Sequence, residues 1–321
     1  MIYLNDRHIR EIGMDWPRLL QTVESVTTII DQGDYVQPLK PYLRYRDPGN
    51  RIIAMPAFVG GGIEAAGLKW IAGFPGNRSR GLPRAHNVTI LNDPATGAPE
   101  AICASSLLSI LRTAAVSGLM IREYLACRKV ETFRLGIVGW GPIGRHHLEM
   151  CMSLFGDRVE LVTLYDINGI ESGSVAPSFR NKTKTAGSWK EVYRQSDIFI
   201  TCTTPEARYI DEAPSPDMLL LNISLRDYHP ESVKHLSAVI VDDWTEVCRE
   251  NTDIERLHEQ YGLSKEDTLT LADVVCREGL QAFPPNESVF FNPMGLAAFD
   301  IGIADYYRKE ARRLGIGKEL E

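Results

Sequence analysis

The chain has 321 residues, 44% of them apolar and 24% charged, with a formal net charge of −7 at pH 7. This is ordinary globular usage at a length that suggests two domains, and it excludes a disordered, collagenous or disulfide-scaffold chain. The acidic balance also excludes a general nucleic-acid binder, which needs a basic field to displace counterions. No apolar run approaches the ~18–20 residues that span a bilayer. The N-terminal MIYLNDRHIR carries Asp6, Arg7 and Arg10 where a signal peptide has its apolar core. The six cysteines form no CxxC pair and read as small hydrophobes in a reducing compartment. The expectation is a cytoplasmic protein with neither a membrane nor a nucleic-acid partner.

MIYL opens the chain as a strand, and a helix follows from Asp15 with Pro17 in its first turn. QPLKPYLR is extended, because each proline biases its neighbour away from α. RIIAMPAF and AGLKWIAGF read as strands divided by Gly60, Gly61 and Gly62. VTILND and GAPEAICA form a hairpin around Asn92, Asp93 and Pro94. A long helix runs from Ser105–Ser106 to Cys127, with Leu107, Ile110, Leu111, Ala114 and Ala115 at helical spacing. Beyond residue 130 strands and helices alternate. RLGIVG precedes a helix from Pro142 to Phe155; VELVTLYD precedes a helix from Ser188 to Gln195; then come DIFITCTT, MLLLNIS and AVIVDD. Strands this apolar, alternating with helices, predict a doubly wound parallel sheet of Rossmann type. A last helix, Met294 to Leu314, returns to the first domain. The expected division is 1–128 with 297–321 as a discontinuous α+β substrate domain, and 129–296 as the nucleotide-binding domain.

The strongest local signal is G-x-G-x-x-G at Gly139, Gly141 and Gly144, placed after an apolar strand and opening a helix. Gly139 permits a tight turn, Gly141 lets the backbone approach a pyrophosphate, and Gly144 lets helix and strand pack closely. Pro142 and Ile143 begin the helix, whose free N–H groups attract phosphate. Asp166 ends the second strand about twenty residues on, the spacing for a carboxylate that binds the adenosine ribose diol and repels a 2′-phosphate. The cofactor expected is NAD. Thr201, Thr203 and Thr204 sit at the carboxyl end of a strand, where such sheets bind ligands, though threonine is also an ordinary strand residue. His146 and His147 are adjacent on the fingerprint helix and diverge by about 100°, so they do not share a metal, and none is expected. His86 and His229 are placed in loops.

Cations stand outside the nucleotide fold: Lys40 and Arg44 in QPLKPYLR, Lys69 in GLKW and Arg112 in LRTAAVS. A half-buried lysine beside arginines has a depressed pKa, through desolvation and like charge together. Arg112 falls among the apolar positions of its helix, where an arginine needs an anionic partner. Taken singly, each cation is equally an ordinary salt-bridge residue.

With these residues in view, the whole chain resembles the ornithine cyclodeaminase/μ-crystallin family. AGLKWIAGFP, ILNDPATGAP, LRTAAVS, GIVGWGPIG, LNISLRD and NPMGLAAFD occur in order across nearly the full length. Within the family, QPLKPYLR, RIIAMP, KWI, ILNDP and the VDDW of residues 241–244 look closest to dehydrogenases of N-(2-amino-2-carboxyethyl)-L-glutamate. Those enzymes make L-2,3-diaminopropionate for siderophores and peptide antibiotics, from an adduct that a partner synthase supplies. The resemblance implies roles. Lys69 lies beside the substrate carboxylate, Arg112 clamps it, Arg44 binds a further carboxylate with Lys40 nearby, and Asp227 is the catalytic aspartate. The segment 292–295, with Met294 and Gly295, closes over the nicotinamide. It also implies a homodimer formed by joining substrate-domain sheets. One departure stands out: cyclodeaminases of the family carry glutamate three residues before the proline of their strand motif, and here that position is Ile53. Losing that carboxylate argues against a free diamine substrate such as ornithine. The remaining alternatives are a cyclodeaminase, a ketimine reductase, an opine or alanine dehydrogenase, or a non-catalytic dinucleotide carrier.

The implied chemistry is removal of hydride from the glutamate Cα of a secondary amine, followed by hydrolysis of the resulting iminium. Arg44 and Arg112 would fix carboxylates by forked bonds. Either Lys69 or Asp227 would serve as base.

Overall fold

Alternating buried Ile2 and Leu4 make the first residues a strand, β1 (Ile2–Asn5). Asn5 then caps a helix that apolar periodicity does not reveal, α1 (Asp6–Ile12); its side chain accepts from the N–H groups of Arg7 and His8. Asp15 caps α2 (Trp16–Asp31) by accepting from Arg18 N, with Pro17 in the first turn. QPLKPYLR is extended; it follows the short strand β2 (Tyr35–Val36) and contains a second one, β3 (Tyr42–Leu43). Four strands follow in antiparallel succession: β4 (Arg51–Val59), β5 (Ala65–Gly73), β6 (Ala85–Asn92) and β7 (Pro99–Ala104). The hairpin turn between β6 and β7 is fixed by Asp93, whose Oδ1 accepts from Thr96 N at 2.7 Å. The long helix is α3 (Ser106–Cys127).

The second part of the chain runs β8 (Phe133–Val138), α4 (Pro142–Phe155), β9 (Val159–Tyr165), β10 (Thr183–Thr185), α5 (Trp189–Arg194), β11 (Ile198–Thr201) and β12 (Leu219–Asn222). It continues through α6 (Pro230–Val233), β13 (Ala238–Val241), α7 (Trp244–Val247), α8 (Asp253–Tyr261), β14 (Thr268–Thr270), α9 (Leu271–Arg277) and β15 (Val289–Asn292). The sheet order is β10-β9-β8-β11-β12-β15-β13-β14, and every pair is parallel. Strand order reverses between β8 and β11, the place where such sheets bind ligands. Strands β11, β12, β13 and β15 are buried at every residue, which explains their unbroken apolar runs. The sequence reading lacked β15, which inserts between β12 and β13, as well as the edge strands β10 and β14. His86 lies on β6 rather than in a loop.

The chain then returns as α10 (Ala297–Leu314) and β16 (Lys318–Glu319), the latter antiparallel to β1. The helix starts at residue 297, later than the expected 294, because Gly295 has φ +87° and Leu296 is extended.

This computed structural model describes residues 1–321, the side chains of Arg78 and Ser172 excepted. It divides into unit 1, residues 1–115 with 295–321, and unit 2, residues 116–294. The fold is a Rossmann-type parallel sheet with a discontinuous α+β unit. The boundary falls inside α3, earlier than the expected 128/129. The second half of that helix is tied into unit 2, where Tyr124 Oη donates to Asp217 O at 2.9 Å and Ser117 Oγ pairs with His147 Nε2 at 2.9 Å. Among the described residues no helix is long and apolar enough to cross a membrane.

Phe290 on β15 is fully buried, with its ring edge-on to Tyr228 at 5.0 Å. Phe290→Ala is expected to cost about 3–5 kcal/mol, read as a lowered urea midpoint.

Candidate functional site

In unit 1 the alternation of β5 puts Lys69 on the covered face and Trp70, 40% exposed, on the other. Helix α10 lies close over this sheet because Gly67 leaves room: a Cβ there would collide with Ile90 O and lie 2.9 Å from Ile301 Cδ1. That packing brings Asp300 over Lys69. Lys69 Nζ donates to Asp300 Oδ1 at 3.0 Å and to Ser109 Oγ at 2.7 Å. Arg112, one turn beyond Ser109 on α3, donates through Nε to the same Asp300 oxygen at 2.9 Å. Its guanidinium lies against Gly295, where a Cβ would stand 2.5 Å from Nη1.

Lys69 is 2% exposed. Burial pushes its pKa down to about 8, with Arg112 and Lys40 adding repulsion while Asp300 opposes the fall. Burial alone would raise the Asp300 carboxyl, but Arg112 and Lys69 outweigh it and hold that group below the usual range. Lys40 is buried as well and bears on Lys69 electrostatically. Arg44 is exposed, with its guanidinium 5.0 Å over the Tyr42 ring. Asp300 is the anionic partner that Arg112 required. In NPMGLAAFD its signal is that of a carboxylate inside the apolar run LAAFDIGIA, which assigns it no role.

In unit 2 the fingerprint has the geometry its glycines suggest. Gly139 has φ +97°, and a Cβ there would stand 2.5 Å from Cys202 O. A Cβ on Gly144 would collide with Gly139 O. Gly141 faces open space and opens α4 with no side-chain cap, with Pro142 in the first turn and Ile143 following it. An uncapped helix N-terminus beside an unobstructed glycine fits a phosphate group. Asp166 Oδ2 accepts from Trp140 N at 2.7 Å and Oδ1 from Asn168 N at 2.9 Å, so it ties the end of β9 to the glycine loop.

Asp227 is fully buried, and its carboxylate accepts from the hydroxyls of Ser224 and Thr203. Burial raises its pKa above the ordinary value, against those hydrogen bonds. Thr203 therefore belongs to the Asp227 cage. Thr201 is buried and faces Asn222 Oδ1 at 3.3 Å, and Thr204 is exposed. Beneath this cage lies Asp253. Its Oδ2 accepts from Asp227 N at 3.0 Å, Tyr228 N at 3.1 Å and Asn222 Nδ2 at 2.9 Å, and Oδ1 accepts from Arg208 Nε at 2.6 Å. Burial pushes Asp253 up to about 6. Asn292 is buried under the same network, accepting from Asn222 Nδ2 at 2.8 Å, and Met294 N donates to Asp242 Oδ1 at 2.9 Å. Asn222 and Ser224 lie inside LNISLRD but were given no role, and Asp253 carries no local signal. Among the described residues no cluster of His, Cys, Asp and Glu is arranged for a metal.

His147 is buried between Ser117 and the Ile143 carbonyl, which its Nδ1 meets at 2.8 Å. Burial pushes its pKa down from 6.5 to about 4. The unfolded chain thus takes up a proton that the folded chain refuses, so this contribution is present above pH 6.5 and is lost as pH falls toward 4. Denaturant midpoints across that range should show the slope, and His147→Gln should remove it.

The family model of the ornithine cyclodeaminase/mu-crystallin family matches residues 9–312. The N-((2S)-2-amino-2-carboxyethyl)-L-glutamate dehydrogenase of Staphylococcus aureus is 33% identical over 339 residues, covering 100% of this chain and 98% of that one. The Thermococcus litoralis Delta(1)-pyrroline-2-carboxylate reductase, solved with NADH and L-proline, shares the fold at TM-score 0.86 and 23% identity, covering 100% of both chains. An archaeal alanine dehydrogenase dimer with bound NAD does so at TM-score 0.84 and 22% identity, covering 100% of this chain and 99% of that one. This chain belongs to the ornithine cyclodeaminase/mu-crystallin family.

Proposed function

We propose that the chain is an NAD-dependent dehydrogenase acting on a C–N bond, and that it converts N-(2-amino-2-carboxyethyl)-L-glutamate to L-2,3-diaminopropionate and 2-oxoglutarate. The observation that carries this reading is the unit 1 cluster, in which buried Lys69 and Arg112 share one carboxylate. An excess of buried positive charge suits an anionic amino-acid substrate. Ile53, buried on β4 opposite Ile71, offers no carboxylate for a diamine. The full-length likeness to the Staphylococcus aureus enzyme supports the particular substrate.

The α4 N-terminus at Gly141, Pro142, Ile143 and Gly144 would hold the pyrophosphate, and Asp166 the ribose diol, where its charge disfavours NADP. Thr204, Met294 and Gly295 stay assigned to the nicotinamide side on the family resemblance. Bound there, NAD supplies the acceptor for the hydride that leaves the substrate carbon. Arg112, with Arg44 and Lys40, holds carboxylates and removes orientational freedom from the substrate. Lys69, with a pKa near 8, is neutral often enough at neutral pH to take the proton of a secondary ammonium. Asp227, raised by burial and aimed by Ser224 and Thr203, takes a proton from the water that hydrolyses the substrate iminium.

The unit 1 sheet is read as a homodimer surface. Val36, Leu43 and Trp70 leave apolar side chains exposed there, and the archaeal alanine dehydrogenase of the same fold is a dimer. The substrate joins two amino-acid fragments through a secondary amine, so a synthase forming that bond would supply it, in siderophore or peptide-antibiotic biosynthesis. Six cysteines with no CxxC pair among them suit the cytoplasm.

Incubation with the adduct and NAD⁺ should yield one NADH per diaminopropionate and per 2-oxoglutarate, read by absorbance and mass spectrometry. Turnover of L-proline or cyclisation of ornithine in its place would overturn the substrate. Asp227→Asn should keep NAD binding and lose turnover by at least ~10²-fold. Arg112→Ala should act mainly on KM.

A further inference from the structure

Asp300 neutralises buried charge, and its geometry is unusual for that task alone. Its side chain is 4% exposed. Both cations converge on Oδ1, while Oδ2 is buried and takes no hydrogen bond from the described residues. A carboxylate has room for donors on both oxygens, and a pair that only cancelled charge would spread over them. Convergence on one oxygen instead holds an ammonium and a guanidinium side by side against their mutual repulsion. Three elements supply the trio: β5, α3 and α10.

We propose that Asp300 is a positioning residue of the unit 1 site, its Oδ1 setting the spacing of the Lys69 and Arg112 heads and its charge governing when Lys69 gives up a proton. The proposal rests on the reading that these two cations meet the substrate. The charged groups bearing on Lys69 are Asp300 from α10, Arg112 from α3 and Lys40 from the segment before β3. Ser109 on α3 accepts a hydrogen bond, and Met55 and Thr89 flank Lys69 in register on β4 and β6. Of the three charged groups, only Asp300 favours the protonated lysine. Removing its charge leaves burial, Arg112 and Lys40 all acting in one direction.

The test follows Lys69 directly, by the Cε shift of 13C-labelled lysine assigned with Lys69→Arg. In Asp300→Asn the titration midpoint should drop below about 8 by about one pH unit or more. The pH limb of kcat/KM that reports Lys69 should move to lower pH with it. Asp300→Glu keeps the charge and displaces the oxygen; it should hold the midpoint and lose about tenfold in kcat/KM. An unmoved midpoint in a folded Asp300→Asn would overturn the proposal. Should that variant not fold, wild-type kcat/KM in Asp300→Glu would do the same. The NMR titration needs no substrate, so it stands even if the assigned substrate fails.

Discussion

A buried charge must be met by partners, because an ion taken out of water without them costs several kcal/mol. In each unit one such carboxylate holds candidate site residues together. Asp300 draws β5 and α3 toward α10. Asp253 gathers the backbone of Asp227 and Tyr228, the amide of Asn222 and the guanidinium of Arg208. In both places the groups that meet the anion are the ones to which chemistry is assigned, or their immediate neighbours. Stability and site geometry therefore draw on the same bonds.

Burial moves the two candidate bases toward neutrality from opposite sides. Lys69 falls from its solution value and Asp227 rises from its own. A base works best when its proton affinity lies near the working pH. The apolar surroundings supply that tuning, and nearby residues trim it: Asp300 restrains the fall of Lys69, and Ser224 and Thr203 restrain the rise of Asp227.

The parts that were legible in the sequence are those written in local pattern. The glycine spacing, the apolar runs of β8, β9, β11, β12 and β13 and the cap at Asp15 each follow from residues within one element. Lys69 was readable as an enclosed lysine because its neighbours on β5 are apolar. What escaped was long-range. Asp300 meets Lys69 across 231 positions of sequence, and Asp253 meets Asn222 across 31. The position of β15 between β12 and β13 is likewise a matter of topology, since its short run VFFN carries nothing to say where it inserts. The threonines show the same limit: Thr203 lies just past the carboxyl end of β11, but its hydroxyl is taken up by Asp227.

The split composition of unit 1 has a bearing on biosynthesis. Helix α10 packs on β4, β5 and β6, yet it lies beyond all of unit 2 in the chain. A ribosome that has finished β6 needs roughly ten to forty seconds more, at about 5–20 residues per second, before α10 can emerge. Until then the sheet lacks the helix that covers its apolar face, and Lys69 lacks its counterion. The parallel sheet of unit 2 waits almost as long for its own interior strand, because β15, which fills the place between β12 and β13, ends only at Asn292. Nascent unit 1 is thus a stretch on which chaperone holding or premature self-association would act.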